Sequence, residues 1–178
     1  MNDTVLITRA LHFAAERHSN QRRKGRAQEP YINHLAEVAE LVVQATEGKD
    51  ANLVVAALLH DTIEDTATLP EELASIFNRD VAQLVQEVTD DNSLTKKNRK
   101  DLQITNAPKK SRRAKILKLA DKISNLRSIA NSPPENWDEQ RKREYIQWSM
   151  RVANGLKGVN PWLEARFKKA QQEALQAL

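Results

Sequence analysis

The sequence lacks several features that whole classes of protein require. Its 178 residues include no cysteine, four glycines, six prolines and 4% aromatic residues. The absence of cysteine excludes a disulfide scaffold, a cysteine-ligated zinc or iron–sulfur site, and catalysis by a thiol nucleophile. No run of about 18 apolar residues occurs, and the N-terminus lacks the basic and apolar segments of a signal peptide. These absences predict a cytoplasmic protein that makes no membrane contact.

The length predicts one domain that covers residues 1–178. A chain of this size buries roughly 70% of the surface that its unfolded form exposes, so it needs no partner subunit to fold. We therefore expect a monomer. Apolar residues recur at the helical spacing of three and four, and alternating strand-like runs are missing. The sequence therefore predicts an all-α domain, a helical bundle of about eight to nine helices.

Several local signals predict where these helices begin and end. Asn33 is predicted to cap the second helix, and Asp50 to cap a central, almost wholly apolar helix over residues 53–63. Residues 25–30 and 89–108 are predicted to form the two long loops, because they show no clear helical period.

The charges are unevenly distributed although the net charge is only +4. Residues 61–91 carry nine carboxylates and one basic residue, whereas residues 22–26 and 109–127 are mostly basic. An acidic cluster flanked by basic segments suits a metal-assisted reaction on a phosphate-rich substrate. Each charge run taken alone is more typical of a solvated helix face than of a functional site.

One dipeptide at the end of the apolar helix has a high free-energy cost of burial. His60 and Asp61 end this helix, and a buried aspartate is costly unless it is paired or bound to a metal. Because adjacent residues on a helix point about 100° apart, both can reach one ion only where helix ends meet a cleft. The remaining ligands should then come from other helices, and His34 and Asp121 are the candidates. Two imidazoles and two carboxylates suit Mn²⁺, Fe²⁺ or Zn²⁺. The alternative is a capped helix end with a hydrogen-bonded histidine.

A second pair of carboxylates follows the first after one helical turn. Glu64 and Asp65 are predicted to lie on the same side of the helix as His60 and Asp61. Four acid–base groups within six residues suit the orientation or deprotonation of a water molecule at a metal.

These motifs closely resemble the HD-domain phosphohydrolases, whose signature is a histidine, a His-Asp pair and a distant aspartate. Here the signature is matched by His34, by His60 with Asp61, and by Asp121. Residues 22–24, 30–34, 58–66, 88–90 and 118–127 look like the hydrolase domain of RelA/SpoT enzymes, above all the small alarmone hydrolases known as metazoan SpoT homologues. The resemblance covers residues 5–165 and leaves no room for a synthetase domain.

The resemblance implies hydrolysis of the 3′-pyrophosphate of guanosine tetra- or pentaphosphate, which yields GDP or GTP and pyrophosphate, with one Mn²⁺ bound per chain. It implies that the metal ligands are His34, His60, Asp61 and Asp121. It implies that the catalytic pair, which positions the water or accepts its proton, is Glu64 and Asp65. Residues matching the family's nucleotide contacts are Arg23, Lys24, Lys96, Lys97, Asn125 and Tyr145.

Two other functions fit parts of the sequence. The same scaffold could act on another nucleotide phosphate such as NADPH. Alternatively, the basic segments could make the chain a helical RNA-binding protein whose affinity falls steeply with salt. The acidic cluster argues against RNA, because carboxylates in a binding groove repel phosphate unless a cation is present. We therefore expect a small nucleotide substrate and no nucleic-acid partner.

Overall fold

The computed structural model describes residues 2–178, and its helices enclose one continuous hydrophobic core that extends from Leu6 to Ala174. Within these residues there is no β-strand, only two isolated β-bridges, Arg22 with Pro30 and Gly25 with Pro134. The helices are α1 (Asp3–Arg17), α2 (Ile32–Thr46), α3 (Ala51–Leu59), α4 (Thr62–Asp65), α5 (Pro70–Ile76), α6 (Arg79–Val88), α7 (Lys96–Asn106), α8 (Arg112–Asn131), α9 (Glu139–Asn154) and α10 (Pro161–Gln176). Because α4 is a single turn, nine longer helices remain, and the predicted all-α fold is confirmed.

The central helices are α3 and α8. Seven of the nine residues of α3 are buried, and α8 packs against α10, α2, α6 and α9 along its 20 residues. Residues 116–124 of α8 are all buried, so the middle of this helix is enclosed on every side. These two helices hold the buried polar residues that are described below.

Three local predictions differ from the structure. Asn33 does not cap α2, which begins at Ile32 after Tyr31 without a side-chain cap. The predicted helix over residues 53–63 stops at Leu59, and α4 starts three residues later. The predicted loop over residues 89–108 contains α7, which is capped by Thr95. Helix α7 has no buried residue, so no apolar period marked it in the sequence.

Other helix boundaries follow their capping signals. Asn2, Asp50, Asn78, Ser111 and Asp138 each accept a hydrogen bond from a backbone N–H in the first turn of the helix that follows. Within the described residues, no helix has both the length and the apolarity that crossing a membrane requires.

Candidate active site

The break between α3 and α4 places His60 and Asp61 at a helix end. The Thr62 hydroxyl donates to the carbonyl of Leu59 over 2.6 Å, and this bond holds the chain as it turns. The Nδ1–H of His60 donates to the carbonyl of Ala57 over 2.8 Å. Because a carbonyl can only accept, this bond fixes the tautomer of His60 and leaves the lone pair of Nε2 facing inward.

The four predicted metal ligands meet at this point. His34 comes from the first turn of α2, and Asp121 comes from the middle of α8. Nε2 of His60 lies 3.1 Å from Oδ2 of Asp61 and 3.8 Å from Oδ1 of Asp121. Nε2 of His34 lies 3.6 Å from Oδ2 of Asp61 and 3.4 Å from Oδ1 of Asp121. Ligand atoms of His34, His60 and Asp121 all lie within 4.8 Å of one another.

The tautomer of His34 is fixed by a hydrogen-bonded chain behind it. The Ser124 hydroxyl donates to the Glu37 carboxylate over 2.6 Å, so Ser124 Oγ must accept from Nδ1–H of His34, which lies 2.8 Å away. Arg127 donates to the other oxygen of Glu37 over 2.7 Å. Nε2 of His34 is therefore free to act as a ligand.

The proposed ligand atoms are all electron-pair donors, so they suit a shared divalent cation better than hydrogen bonds to one another. Nε2 of His60 is buried and has no hydrogen-bond partner in residues 2–178, although it faces two carboxylate oxygens. A buried polar atom without a partner is costly, and a cation between two lone pairs and two carboxylates would satisfy all four. The donor set therefore suits a metal with mixed nitrogen and oxygen ligands.

The electrostatics of the site point the same way. Burial alone lowers the pKa of His60, but Asp61 and Asp121 outweigh it and raise this pKa to about 10. Burial opposes ionisation of Asp121, but Lys122 and the two histidines hold its pKa well below the usual range. The carboxylates therefore remain ionised and attract positive charge, which a proton supplies when no cation does.

Neutral and cationic donors hold the two aspartates in place. The Tyr31 hydroxyl donates to Oδ2 of Asp61 over 2.6 Å. Asn125 donates to Oδ1 of Asp121 over 2.6 Å, and the buried ammonium of Lys122 donates to Oδ2 over 3.0 Å. Each aspartate therefore presents a defined oxygen to the histidines.

The two predicted catalytic carboxylates lie on α4 in different environments. Glu64 is half-buried, and its Oε2 accepts a hydrogen bond from the backbone N–H of Asp90 over 3.1 Å. Burial raises the pKa of Glu64 to about 7, and the charges of Asp90 and Asp61 add to this effect, whereas the Asp90 N–H and Lys118 oppose it. Asp65 is exposed, and its Oδ2 accepts from Gln21 over 2.8 Å. Glu64 thus has the pKa expected of a proton acceptor near neutral pH.

A cleft of about 770 Å³ opens in front of these groups. Its lining includes Asp61 and both carboxylates of α4. Predicted nucleotide contacts that line it are Arg23, Lys24, Lys96, Asn125 and Tyr145. Arg23 also donates to Oδ1 of Asn125 over 3.1 Å, which joins the loop before α2 to α8.

Lys97 lies outside the lining of the cleft. Its ammonium pairs with Oδ2 of Asp101 at 3.0 Å, and its side chain is 85% exposed. The next turn of α7 supplies Lys100 instead, which lines the cleft with Lys96 and with Arg141 from α9. Burial lowers the pKa of Lys100, and the nearby charge of Lys96 lowers it further although Glu144 opposes this. Crowded cations of this kind suit a polyanionic ligand.

Sequence reasoning missed several residues that this site uses. Lys100 and Arg141 were hidden because α7 has no apolar period and α9 is distant in the chain. Tyr31, Glu37 and Ser124 act on the predicted ligands through hydrogen bonds. The spacing of Lys96 and Lys100 by four residues could have indicated one helix face, but only after α7 had been recognised.

Comparison with known proteins assigns the chain to a family. The profile of the HD-domain family matches residues 10–152. The guanosine-3′,5′-bis(diphosphate) 3′-pyrophosphohydrolase MESH1 of Xenopus tropicalis is 48% identical, covering 93% of both chains. The protein of that name from Homo sapiens is 44% identical, covering 94% of this chain and 93% of its own.

A solved structure gives the same assignment. It belongs to a metazoan orthologue of SpoT that hydrolyses ppGpp and plays a role in starvation responses, and it matches with a TM-score of 0.90 and 40% identity over 94% of each chain. Sequence, fold and site geometry agree, and the chain therefore belongs to the HD-domain family and, within it, to the MESH1 group.

Proposed function

We propose that this chain hydrolyses the 3′-pyrophosphate of guanosine tetraphosphate or pentaphosphate and releases GDP or GTP together with pyrophosphate. The observation that carries the proposal is the meeting of the four proposed ligands, His34, His60, Asp61 and Asp121. Asp61 also lines the cleft, together with Glu64, Asp65 and several basic residues. The activity named for relatives of 44–48% identity supports this substrate.

We further propose that His34, His60, Asp61 and Asp121 hold one Mn²⁺ per chain. Mixed imidazole and carboxylate ligands suit this ion. When bound, such an ion neutralises phosphate charge and makes a water molecule more acidic.

Side chains near the proposed ligands accept the proton, orient the water and bind the substrate phosphates. Glu64 accepts a proton from the attacking water, because its raised pKa matches neutral pH. Asp65 orients that water from the exposed side of α4. Lys96 and Lys100 hold the phosphates that are not cleaved. The predicted contacts of Arg23 and Lys24 with the guanine and ribose, of Asn125 with the substrate and of Tyr145 near the phosphates stay predictions. The single domain, the monomeric state and the cytoplasmic location also stay predictions. Lys97 lies outside the lining of the cleft, and the kinetic comparison with Lys100 given below tests its predicted contact with phosphate.

The hydrogen bonds behind His34 should set the metal affinity. We expect Ser124→Ala to weaken Mn²⁺ binding by roughly 10- to 100-fold, because His34 then loses the partner that fixes its tautomer. Calorimetric titration of the metal-free protein with Mn²⁺ measures this effect. Ser128→Ala, one turn further along α8 and half-buried, is the control and should bind Mn²⁺ as the unmodified chain does. Equal affinities in all three proteins would contradict the role of Ser124.

The rate should depend on the ionisation of Glu64. Only the carboxylate form accepts a proton, so we expect kcat/KM to rise with pH with a midpoint at or below about 7. The midpoint falls below this value to the extent that bound metal charge stabilises the carboxylate. A pH–rate profile at saturating Mn²⁺ checks this, and a rate that falls as pH rises from 5 to 7 would contradict it.

Lys100 should contribute more to substrate binding than Lys97. We expect Lys100→Ala to raise the KM for guanosine tetraphosphate about 10-fold or more, since hydrogen bonds to charged groups contribute roughly 1.5–3 kcal/mol. Lys97→Ala removes the same charge from the same helix but outside the cleft, and it should change KM less than about 3-fold, the size of a surface charge effect. Steady-state kinetics of the two variants decide the point.

A substrate comparison tests the proposed function. A second pocket of about 360 Å³ shares Lys24, Trp137 and Arg141 with the cleft, so a larger dinucleotide such as NADPH is the second candidate. Purified protein with Mn²⁺ should turn over guanosine tetraphosphate with a higher kcat/KM than NADPH, GDP or GTP. A higher value for NADPH would replace the proposal with the second candidate.

A further inference from the structure

A buried histidine outside the proposed ligand set touches the supports of two site carboxylates. His18 lies at the C-terminal end of α1 and is only 2% exposed. Its Nδ1 lies 2.6 Å from Oε1 of Gln21, and its ring stacks on Tyr31 with 5.2 Å between the ring centres and 23° between the planes. The sequence alone predicts that His18 is an ordinary packing residue. Its contacts in the structure link it to Asp65 and Asp61.

The first chain of contacts leads from His18 to Asp65. A carboxylate only accepts hydrogen bonds, so the amide group of Gln21 must present Nε2–H to Oδ2 of Asp65, which lies 2.8 Å away. The carbonyl oxygen of Gln21 then faces His18, which must supply a proton from Nδ1. The direction of each hydrogen bond is therefore fixed along the chain His18–Gln21–Asp65.

The second chain of contacts leads from His18 to Asp61. The ring that stacks on His18 belongs to Tyr31, whose hydroxyl donates to Oδ2 of Asp61 over 2.6 Å. The same ring packs edge-on against His34 with 5.5 Å between centres. The backbone holds both partners in place, because the carbonyl of Gln21 accepts from the N–H of Tyr31 over 3.1 Å.

We propose that His18 is a positioning residue that orients Asp65 through Gln21 and Asp61 through Tyr31. The ring proton lies on Nδ1, where Oε1 of Gln21 accepts it. Nε2 is buried and has no hydrogen-bond partner in residues 2–178, so a proton on Nε2 would be a buried donor without an acceptor. The importance of this residue for turnover rests on the proposed function, whereas its tautomer and contacts do not.

Kinetics with three substitutions separate the two chains of contacts. We expect His18→Ala to lower kcat by roughly 10- to 100-fold and to change KM less than about 3-fold, the pattern of a lost outer partner. His18→Asn places an amide N–H where Nδ1–H was and should restore more of kcat than His18→Phe, which keeps only the stacked ring. His12→Ala is the matched control: this histidine is on the same helix, its side chain is 76% exposed, and its variant should match the unmodified rate.

A double-mutant cycle distinguishes positioning from a general loss of stability. If Gln21 acts through Asp65, Gln21→Leu should lower kcat in the unmodified chain but change it less than about 2-fold when Asp65→Asn is already present. Equal effects of Gln21→Leu in both backgrounds would overturn the proposal. A second outcome would also overturn the proposal. Thermal denaturation would show that His18→Ala is unfolded and His18→Asn is folded, and the two variants would have the same low kcat.

A spectroscopic measurement tests the inference without any turnover. Long-range ¹H–¹⁵N correlation spectra of the unmodified protein should show that His18 carries its proton on Nδ1, and Gln21→Leu should shift its Nδ1 resonance. An Nε2–H tautomer would overturn the inference whatever the substrate proves to be. If the spectra agree but guanosine tetraphosphate is not hydrolysed, the proposed function fails and the arrangement of His18 stands.

Discussion

Replacing His60 with alanine should remove bound metal and activity together. His60 contributes an inward-facing Nε2 whose orientation is fixed by the carbonyl of Ala57, and no other imidazole lies at that position. We expect Mn²⁺ affinity to fall by more than the roughly 10- to 100-fold that loss of an outer partner costs. Turnover should fall to the level of the metal-free protein. Asp121→Ala should have the same effect, because it removes the oxygen that faces both histidines.

Metal content and rate are measured on the same preparation of each variant. Elemental analysis after dialysis against Mn²⁺ gives the bound metal, and circular dichroism confirms that the helices remain. His12→Ala serves as the control, since it removes an exposed imidazole that is not at the site. A His60→Ala protein that binds no metal yet keeps full activity would refute the metal hypothesis.

Neutralising the two carboxylates of α4 should separate binding from turnover. With Glu64→Gln and Asp65→Asn combined, we expect retained Mn²⁺ and nucleotide binding but a loss in kcat of about 10²-fold or more, the usual contribution of acid–base groups. The fold should survive, because the glutamine carbonyl can still accept from the N–H of Asp90 and the backbone carbonyl of residue 64 still accepts from Asn92.

The control for this pair is Glu71→Gln, which removes an exposed carboxylate from the neighbouring helix α5. Its kcat should match that of the unmodified chain. The two single variants show which carboxylate accepts the proton: Glu64→Gln should flatten the pH–rate profile near 7, whereas Asp65→Asn should lower the rate and leave its midpoint in place. A double variant within a few-fold of the unmodified kcat would contradict the assigned roles.

Much of the fold could be predicted because helical period and capping signals agree along most of the chain. Asp50 and Asn78 mark their helices correctly, and the apolar residues of α8 follow a period of 3.6. The break after Leu59 could not be predicted, because residues 53–59 form an unbroken apolar run and neither glycine nor proline follows before Pro70. Side-chain hydrogen bonds from His60 and Thr62 to backbone carbonyls three residues earlier accompany this break, and such local bonds compete with the helical ladder.

Helix α7 was missed for the opposite reason. None of its eleven residues is buried, so its sequence has no apolar pattern that would predict a helix. Hydrogen bonds to residues outside the helix hold it in place. The indole N–H of Trp148 donates to the carbonyl of Lys100 over 3.1 Å, and Gln103 donates to Asp90. These contacts join α7 to a distant helix and to a loop, and the spacing of apolar residues along the sequence gives no information about them.

The site was predictable where residue type alone carries the chemistry. The histidines and aspartates of the signature do meet, because three of them lie at helix ends and the fourth, Asp121, lies in the buried middle of α8. The residues that orient them were not predictable. Nothing in the sequence distinguishes Ser124 and His18 from ordinary packing residues. Only the packing of α1, α2 and α8 shows that Nδ1 of His34 faces Ser124 and that Nδ1 of His18 faces Gln21.

The most direct test of the account is to identify the products formed from guanosine tetraphosphate by the purified protein with Mn²⁺. Anion-exchange chromatography with ³¹P NMR resolves the nucleotides, pyrophosphate and orthophosphate. Hydrolysis at the 3′-pyrophosphate should give equal amounts of GDP and pyrophosphate, and no orthophosphate. Release of orthophosphate, or of a nucleotide that keeps a phosphate on its 3′ oxygen, would contradict it.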